Sequence, residues 1–399
     1  MSMMPFAAAK AALLASARPV RESEQLDLAA AFGRVLAADL VSPLTVPPFA
    51  NSAMDGYALR AAEVPAAGAR LPVRGRFAAG DAPGVLPAGA AARIFTGAPV
   101  PAGADAVVMQ EHCLADGDGV IINQQPAAGQ FVRLAGSDLQ AGQVLLPAGA
   151  CLSAAALGLA ASVGIAGVDV FRRLRVAMFY TGSELTMPGE PLAPGHIYNS
   201  NRYIIAGYLQ DLGAEIIDLG IVRDDREATR AALRQAARDA DVIVTSGGMS
   251  EGEEDHVTAS VRAEGRIDVW KIASKPGKPL AFGAVGNAAF IGLPGNPVSV
   301  WVGMLGLVAP FLRRCQGMTQ VEPPLQKLRA DFAWTVKGDR QEFVRVRRND
   351  AGGLDRHPNQ DSAVISSAAW CDGLAVVPAG ATVSPGDLVE YIPGPGWHP

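Results

Sequence analysis

The chain has 399 residues and sets 34 Lys and Arg against 39 Asp and Glu, for a formal net charge of −5. With no polybasic run, that balance excludes a nucleic-acid groove, and a 49% hydrophobic fraction excludes a disordered chain. The length exceeds what one hydrophobic core supports, so several domains are expected.

The 44 glycines and 29 prolines are scattered as short turn signals, which implies many short elements joined by tight loops. Cys113, Cys151, Cys315 and Cys371 lie far apart without a CxxC pair, which fits a reducing cytoplasm and offers no zinc ribbon. The N-terminal stretch carries Lys10 and reads as an amphipathic helix, not a signal peptide.

In chain order, helices are predicted over 7–17 and 26–31. Short β-like pieces follow at 71–77, 104–110 and 119–123 between Gly, Pro and Asp turns. A helix at 153–162 precedes an alternation of strands and helices. Strands are predicted at 174–180, 215–219, 241–245 and 288–293, extended chain at 269–272, and helices at 201–212, 226–240 and 256–264. A last helix spans 297–314, with Pro297 at its first turn, where the missing N–H costs nothing. Neither uncharged stretch, 151–168 or 291–312, is expected to cross a membrane. The first is only weakly apolar, and the second is broken by Pro294 and Pro297, which leaves too little helix. After Pro323-Pro324 the pattern is strand-like again, at 326–332, 341–347, 374–377 and 388–392.

This organisation predicts an α/β multidomain protein. Residues 1–43 and 148–173 form an N-terminal extended domain with helices, and 44–147 a β-rich domain inserted into it. Residues 174–322 form a central doubly wound parallel-sheet domain, and 323–399 a C-terminal β-barrel-like domain. In open parallel sheets ligands bind beyond the carboxyl ends of the strands, which points at the loops after Tyr180, Leu219, Thr245 and Leu293.

Four strings could carry chemistry. In Pro47-Pro48-Phe49-Ala50-Asn51-Ser52-Ala53-Met54-Asp55-Gly56, a stiff approach and a tight turn fix a carboxylate; the same string also reads as a structural turn. Thr96-Gly97, followed by Pro99 and Pro101, offers backbone N–H groups to an anion or forms a rigid connection. Ser246-Gly247-Gly248-Met249-Ser250 follows a buried strand, where glycines let the backbone close around phosphate oxygens. Lys271, Lys275 and Lys278 cluster in a Pro- and Gly-stiffened segment of an acidic protein and form a local anion site. Leu293-Pro294-Gly295-Asn296-Pro297 then leads into a helix N-terminus, a further anion-binding place.

Asp224 and Asp255 fall in loops that open on one sheet edge. Their hard oxygens suit Mg²⁺, which binds through one or two carboxylates plus substrate phosphate. Helix capping by Asp224 or Asp225 and by Asp255 is the alternative. The five histidines lack ligand-like spacing, so a histidine zinc site is not expected.

In this order and spacing the four strings resemble the molybdopterin molybdenumtransferase family, which includes bacterial MoeA and the E-domain of gephyrin. Gly136-Ser137-Asp138 with Gly142 and Gly149, Thr181-Gly182-Ser183-Glu184-Leu185, Asn199-Ser200-Asn201-Arg202 and Arg340-Gln341-Glu342-Phe343-Val344-Arg345 extend the resemblance over essentially the whole chain. It implies a four-domain protomer, a third domain akin to the molybdopterin adenylyltransferase fold, and a head-to-tail homodimer. The implied reaction joins adenylylated molybdopterin and molybdate to give molybdenum cofactor and AMP, with Mg²⁺. Transient contact with the adenylyltransferase and with cofactor-receiving proteins follows from the same resemblance. Asp55, Thr96, Asp138, Glu184, Lys271 and Lys275 fall on positions implicated in activity, as do Asp224, Asp255, Pro294 and Pro297. On this reading Asp224 and Asp255 hold the metal on the pyrophosphate, and Ser246, Gly247, Gly248 and Ser250 cradle phosphate. Lys271, Lys275 and Lys278 receive molybdate or the terminal pterin phosphate, beside Gly295 and Asn296. Asp55 and Glu184 orient water or metal across the dimer interface. Glu251 departs from the family, which generally has an apolar residue there.

Two competing readings are weaker. Adenylylation of molybdopterin needs only the central domain, so it leaves the flanking regions unexplained. A non-catalytic scaffold would be free to lose the acidic and basic positions retained here. Nothing in these residues separates molybdate from tungstate.

Overall fold

The computed structural model describes residues 3–249 and 256–396. Two compact units are present: Met1–Ala38, Ala148–Ser153 and Gly167–Pro399 form the larger, Asp39–Pro147 and Ala154–Ala166 the smaller.

The larger unit is built on a six-stranded sheet. Its elements in chain order are β1 (Arg175–Thr181), α1 (Asn201–Asp211), β2 (Glu215–Val222), α2 (Arg226–Asp239), β3 (Val242–Ser246), α3 (His256–Glu264) and β4 (Gly265–Trp270). They continue with β5 (Ile272–Lys275), β6 (Ala281–Val285), β7 (Ala288–Leu293) and a helix from Pro297 to Cys315. The spatial order is β2-β1-β3-β7-β6-β4, and β5 belongs to another sheet. β2, β1, β3 and β7 are parallel, whereas β6 and β4 add an antiparallel edge that the sequence reading did not anticipate.

Strand alternation sorts the side chains into two cores. Val176, Met178 and Tyr180 of β1 join Ile205 and Leu209 of α1 and Val300 and Phe311 of the last helix. Ala177 and Phe179 face the other way, onto Leu233 of α2 and Val257 and Val261 of α3. Burial on both faces is why β1 and β3 read as unbroken apolar runs. The Pro297–Cys315 helix has 19 residues, enough by length and composition to cross a bilayer. Burial of 89% of its apolar window inside this unit, and not shortness, marks it as a core helix.

The C-terminal strands are β8 (Gln326–Ala330), β9 (Gln341–Arg348), β10 (Gly353–Arg356), β11 (Gly373–Val377) and β12 (Leu388–Pro393). They close into a ring, β9-β10-β8-β12-β11, because β9 pairs with both β10 and β11. Val344, Val346, Leu354, Ala375 and Val377 fill it. β5 attaches to this ring in parallel, with Ser274 opposite Gln341 and Lys275 opposite Glu342. The helix expected at 26–31 is instead the end of a strand, Ser23–Asp27, and a short 3₁₀ turn, Leu28–Ala30. Antiparallel pairing with Gly167–Phe171 overrides the local helical spacing.

The smaller unit carries a six-stranded sheet in the order Ala106–Met109, Gly56–Leu59, Ala91–Ile94, Ala69–Phe77, Gly119–Ile122, Cys113–Asp116. Gly56 lies opposite Ile94 and Met109. A Cβ on Gly56 would stand 1.9 Å from the Val108 carbonyl oxygen, so only glycine fits there.

Candidate active site

In the larger unit, the parallel strands bring the loops after Thr181, Val222, Ser246 and Leu293 to one sheet edge. Ser246 Oγ donates to the Pro294 carbonyl at 2.9 Å. Asn201 Nδ2, at the start of α1, donates to Ser246 Oγ at 2.8 Å and to the Gly295 carbonyl at 2.7 Å. One side chain thus ties the double-glycine loop to the Pro-Gly-Asn loop. Gly247 and Gly248 have φ of +95° and +63°, and a Cβ on Gly247 would stand 2.3 Å from the Thr181 carbonyl oxygen. The buried Thr181 Oγ1 beside this loop, and the buried Asn199 Nδ2, have no hydrogen-bond partner among the described residues. Ser250 and Asp255 lie outside the described residues, as does Glu251.

Capping of α2 falls to Asp225, whose carboxylate accepts the Ala228 N–H at 2.8 Å. That hydrogen bond, with help from Arg223, holds the Asp225 carboxyl below the usual range. Asp224 stands one residue before the cap, so capping does not account for it. No group of three or more His, Cys, Asp or Glu side chains gathers to hold a metal among the described residues.

Where the sheet domain meets the C-terminal ring, a cleft of about 450 Å³ opens. Lys275, Lys278, Ser299, Arg340 and Ser362 line it beside Pro294, Gly295 and Asn296. Its cations come from both sides, and Asp361 adds one carboxylate. Asn296 Nδ2 donates to Ser362 Oγ at 2.9 Å, and the Val298 N–H donates to the Ser362 carbonyl at 3.1 Å. That N–H at the start of the helix is therefore not available to an anion. Lys275 Nζ donates to Glu342 Oε1 at 3.0 Å, and Trp334 Nε1 donates to Glu342 Oε2 at 2.9 Å. Lys271 does not line this cleft; it precedes β5 at φ +72° and its carbonyl accepts the Met4 N–H. Glu184 is exposed in the loop after β1, close against Gly182.

In the smaller unit, Asp55 and Thr96 meet. Asp55 Oδ1 accepts the Thr96 N–H at 2.7 Å and the Thr96 hydroxyl at 2.8 Å. These bonds hold the Asp55 carboxyl below the usual carboxylate range. Arg93 braces the same turn by donating to the Gly56 carbonyl at 2.8 Å. Asp138 is exposed, and its own N–H donates to the Val46 carbonyl.

The sequence reading gave Asn201 and Arg340 no role beyond their motifs, and Ser299 and Ser362 none at all. Asn201 could have been found as a polar residue opening a helix at the carboxyl edge. Ser362 had no local signal, because its partner Asn296 is 66 residues away.

Three family models match the chain in succession. They are the MoeA N-terminal region (domains I and II) over residues 4–164, a probable molybdopterin binding domain over 177–314, and the MoeA C-terminal region (domain IV) over 327–393. A molybdopterin molybdenumtransferase of a Nostoc species is 38% identical over 376 residues, covering 91% of this chain and 86% of that protein. Molybdopterin molybdenumtransferase 2 of Mycobacterium tuberculosis is 36% identical over 396 residues, covering 96% and 95%. The crystal structure of a molybdopterin biosynthesis MoeA protein from Pyrococcus horikoshii superposes with a TM-score of 0.81 at 31% identity, covering 99% of this chain and 100% of that one. With matching models along its whole length and relatives at this identity and coverage, the chain belongs to the molybdopterin molybdenumtransferase (MoeA) family.

Proposed function

We propose that this protein is a molybdopterin molybdenumtransferase, which inserts molybdate into the dithiolene of adenylylated molybdopterin and releases AMP in molybdenum cofactor biosynthesis. The observation that carries this reading is the cationic cleft beside the Pro294-Gly295-Asn296 loop. Lys275, Lys278 and Arg340 converge there with Ser299 and Ser362, a donor set suited to a tetrahedral oxyanion. Asn201 and Ser246 couple that loop to the double glycine, whose open backbone suits phosphate oxygens.

On this reading Ser246, Gly247, Gly248 and Ser250 cradle the pterin-side phosphates, and Lys275, Lys278 and Arg340 receive molybdate. Asp55, positioned by Thr96, stays ionised and orients a proton-bearing group of the substrate. Asp138, Glu184 and Lys271 complete the set by resemblance. Asp224 offers a hard carboxylate at the sheet edge that capping does not use, which fits Mg²⁺ held by one or two carboxylates and substrate phosphate. Asp255 is the second carboxylate of the assignment. Bound there, the ion would neutralise pyrophosphate charge as AMP leaves. We further assign the protein to the cytoplasm as a homodimer, with the four domains at the boundaries given above. It would exchange substrate and product with the adenylyltransferase and cofactor-receiving proteins.

The test is a single-turnover reaction of the purified protein with adenylylated molybdopterin, Mg²⁺ and molybdate, following AMP. Molybdate-dependent AMP release that is lost in Asp55→Asn and weakened in Lys278→Ala supports the assignment. Tight pterin binding without AMP release would sink it and leave a carrier.

A further inference from the structure

The pairing of β5 with β9 sets Lys275 directly opposite Glu342, and their side chains meet at 3.0 Å. The two partners are held very differently. The Glu342 side chain is 11% exposed and its second oxygen is fixed by Trp334 Nε1, whereas the Lys275 side chain is 51% exposed. The carboxylate is therefore the fixed member, and the lysine, on its flexible four-carbon stem, is the movable one. Glu342 faces a smaller pocket of about 260 Å³ that adjoins the oxyanion cleft through Lys275, Pro276, Gln360 and Asp361. An anion entering the cleft meets a lysine whose charge is already engaged.

We infer that Glu342 is a specificity-determining residue, which competes with the bound oxyanion for the Lys275 ammonium and so sets how the cleft discriminates anions of one shape by charge. This rests on the assignment of the cleft to molybdate made above. Coulomb energy scales with the product of the charges, so a fixed carboxylate opposes a dianion twice as strongly as a monoanion. The other charged groups of the cleft, Lys278, Arg340 and Asp361, are the same whether or not Glu342 is charged. The Asp361 carboxylate is also engaged, accepting the Ala363 N–H at 2.8 Å. A site that must hand its anion on to a dithiolene gains nothing from holding it as tightly as possible, and Glu342 trims that affinity.

The experiment is equilibrium binding of molybdate, a tetrahedral dianion, and perrhenate, a tetrahedral monoanion, to the full-length protein and to Glu342→Gln. Glutamine keeps its amide oxygen as an acceptor for Trp334 and removes the charge together with the second acceptor that engages Lys275. Molybdate Kd should fall about tenfold and perrhenate Kd about threefold, because the exponent halves with the charge. A merely structural role would weaken both anions alike, and an unchanged molybdate-to-perrhenate ratio overturns the inference. Lys278→Ala and Arg340→Ala separate the two levels of the argument. If neither affects molybdate binding, the cleft assignment itself fails. If both weaken it while the Glu342→Gln ratio stays fixed, only the role of Glu342 fails.

Discussion

Asp55 and Thr96 are joined twice through one oxygen: Oδ1 of Asp55 accepts both the backbone N–H and the hydroxyl of Thr96. Charge on the carboxylate strengthens both bonds, so its pKa is lowered, chiefly by the amide and then by the hydroxyl. A depressed folded-state pKa means the contribution is present above the unfolded value and is lost as pH falls through the folded one. Thr96→Val keeps the amide and deletes the hydroxyl. The Asp55 pKa should rise toward the ordinary aspartate value of about 4, which carboxyl-carbon NMR titration would read. The acid limb of activity should move up with it. An unmoved titration would show that the hydroxyl contributes nothing.

The double glycine makes a second prediction. At Gly247 the backbone is left-handed, and an added methyl meets the Thr181 carbonyl, which is a strand backbone atom and cannot swing away. Gly247→Ala should cost about 2 kcal/mol in strain, seen as a lower denaturation midpoint. Pterin binding should weaken as the loop shifts. Full stability with full binding would show that the loop relaxes freely.

The elements that were legible in the sequence are those whose signal is local. β1 and β3 read as unbroken apolar runs because helices cover both faces, and α2 was marked by an acidic cap before an Ala- and Arg-rich run. β6 was missed because its centre is Gly283, a poor strand former. The fold needs glycine there, since a Cβ would stand 2.0 Å from the Arg266 carbonyl oxygen of β4. The candidate site divides in the same way. Asp55, Thr96 and the Ser-Gly-Gly loop stood out as strings. The pairings across the C-terminal side did not, because Ser362 meets Asn296 and Glu342 meets Lys275 only once the fold brings together residues 66 and 67 positions apart in the chain.

Asp224 and Asp225 are adjacent carboxylates with separable duties. Asp225 is engaged as the cap of α2 and by Arg223. Asp225→Ala should lower the melting temperature while leaving the Mg²⁺ dependence of turnover unchanged. Asp224→Asn should raise the Mg²⁺ concentration needed for half-maximal AMP release. Identical Mg²⁺ curves for wild type and Asp224→Asn would remove the metal assignment.

Arg340 and Arg345 stand five residues apart in one motif, and the structure gives them opposite environments. Arg345 is 1% exposed; its guanidinium donates to Ser367 Oγ at 3.1 Å and to the Asp361 carbonyl at 3.1 Å. Burial pushes its pKa down to about 10, so it remains charged at neutral pH. It braces the Asp361-Ser362 turn from beneath, and truncation should cost about 3 kcal/mol through lost charged hydrogen bonds and packing. Arg340 lines the oxyanion cleft and forms no ion pair among the described residues. Arg340→Ala should therefore change stability by no more than about 0.5 kcal/mol while raising molybdate Kd about tenfold, the loss of one hydrogen bond to a charged group. Chemical denaturation and molybdate binding on both variants check the contrast. If Arg340→Ala unfolds the protein while Arg345→Ala only weakens anion binding, the two roles are exchanged and the anion binds beside Arg345.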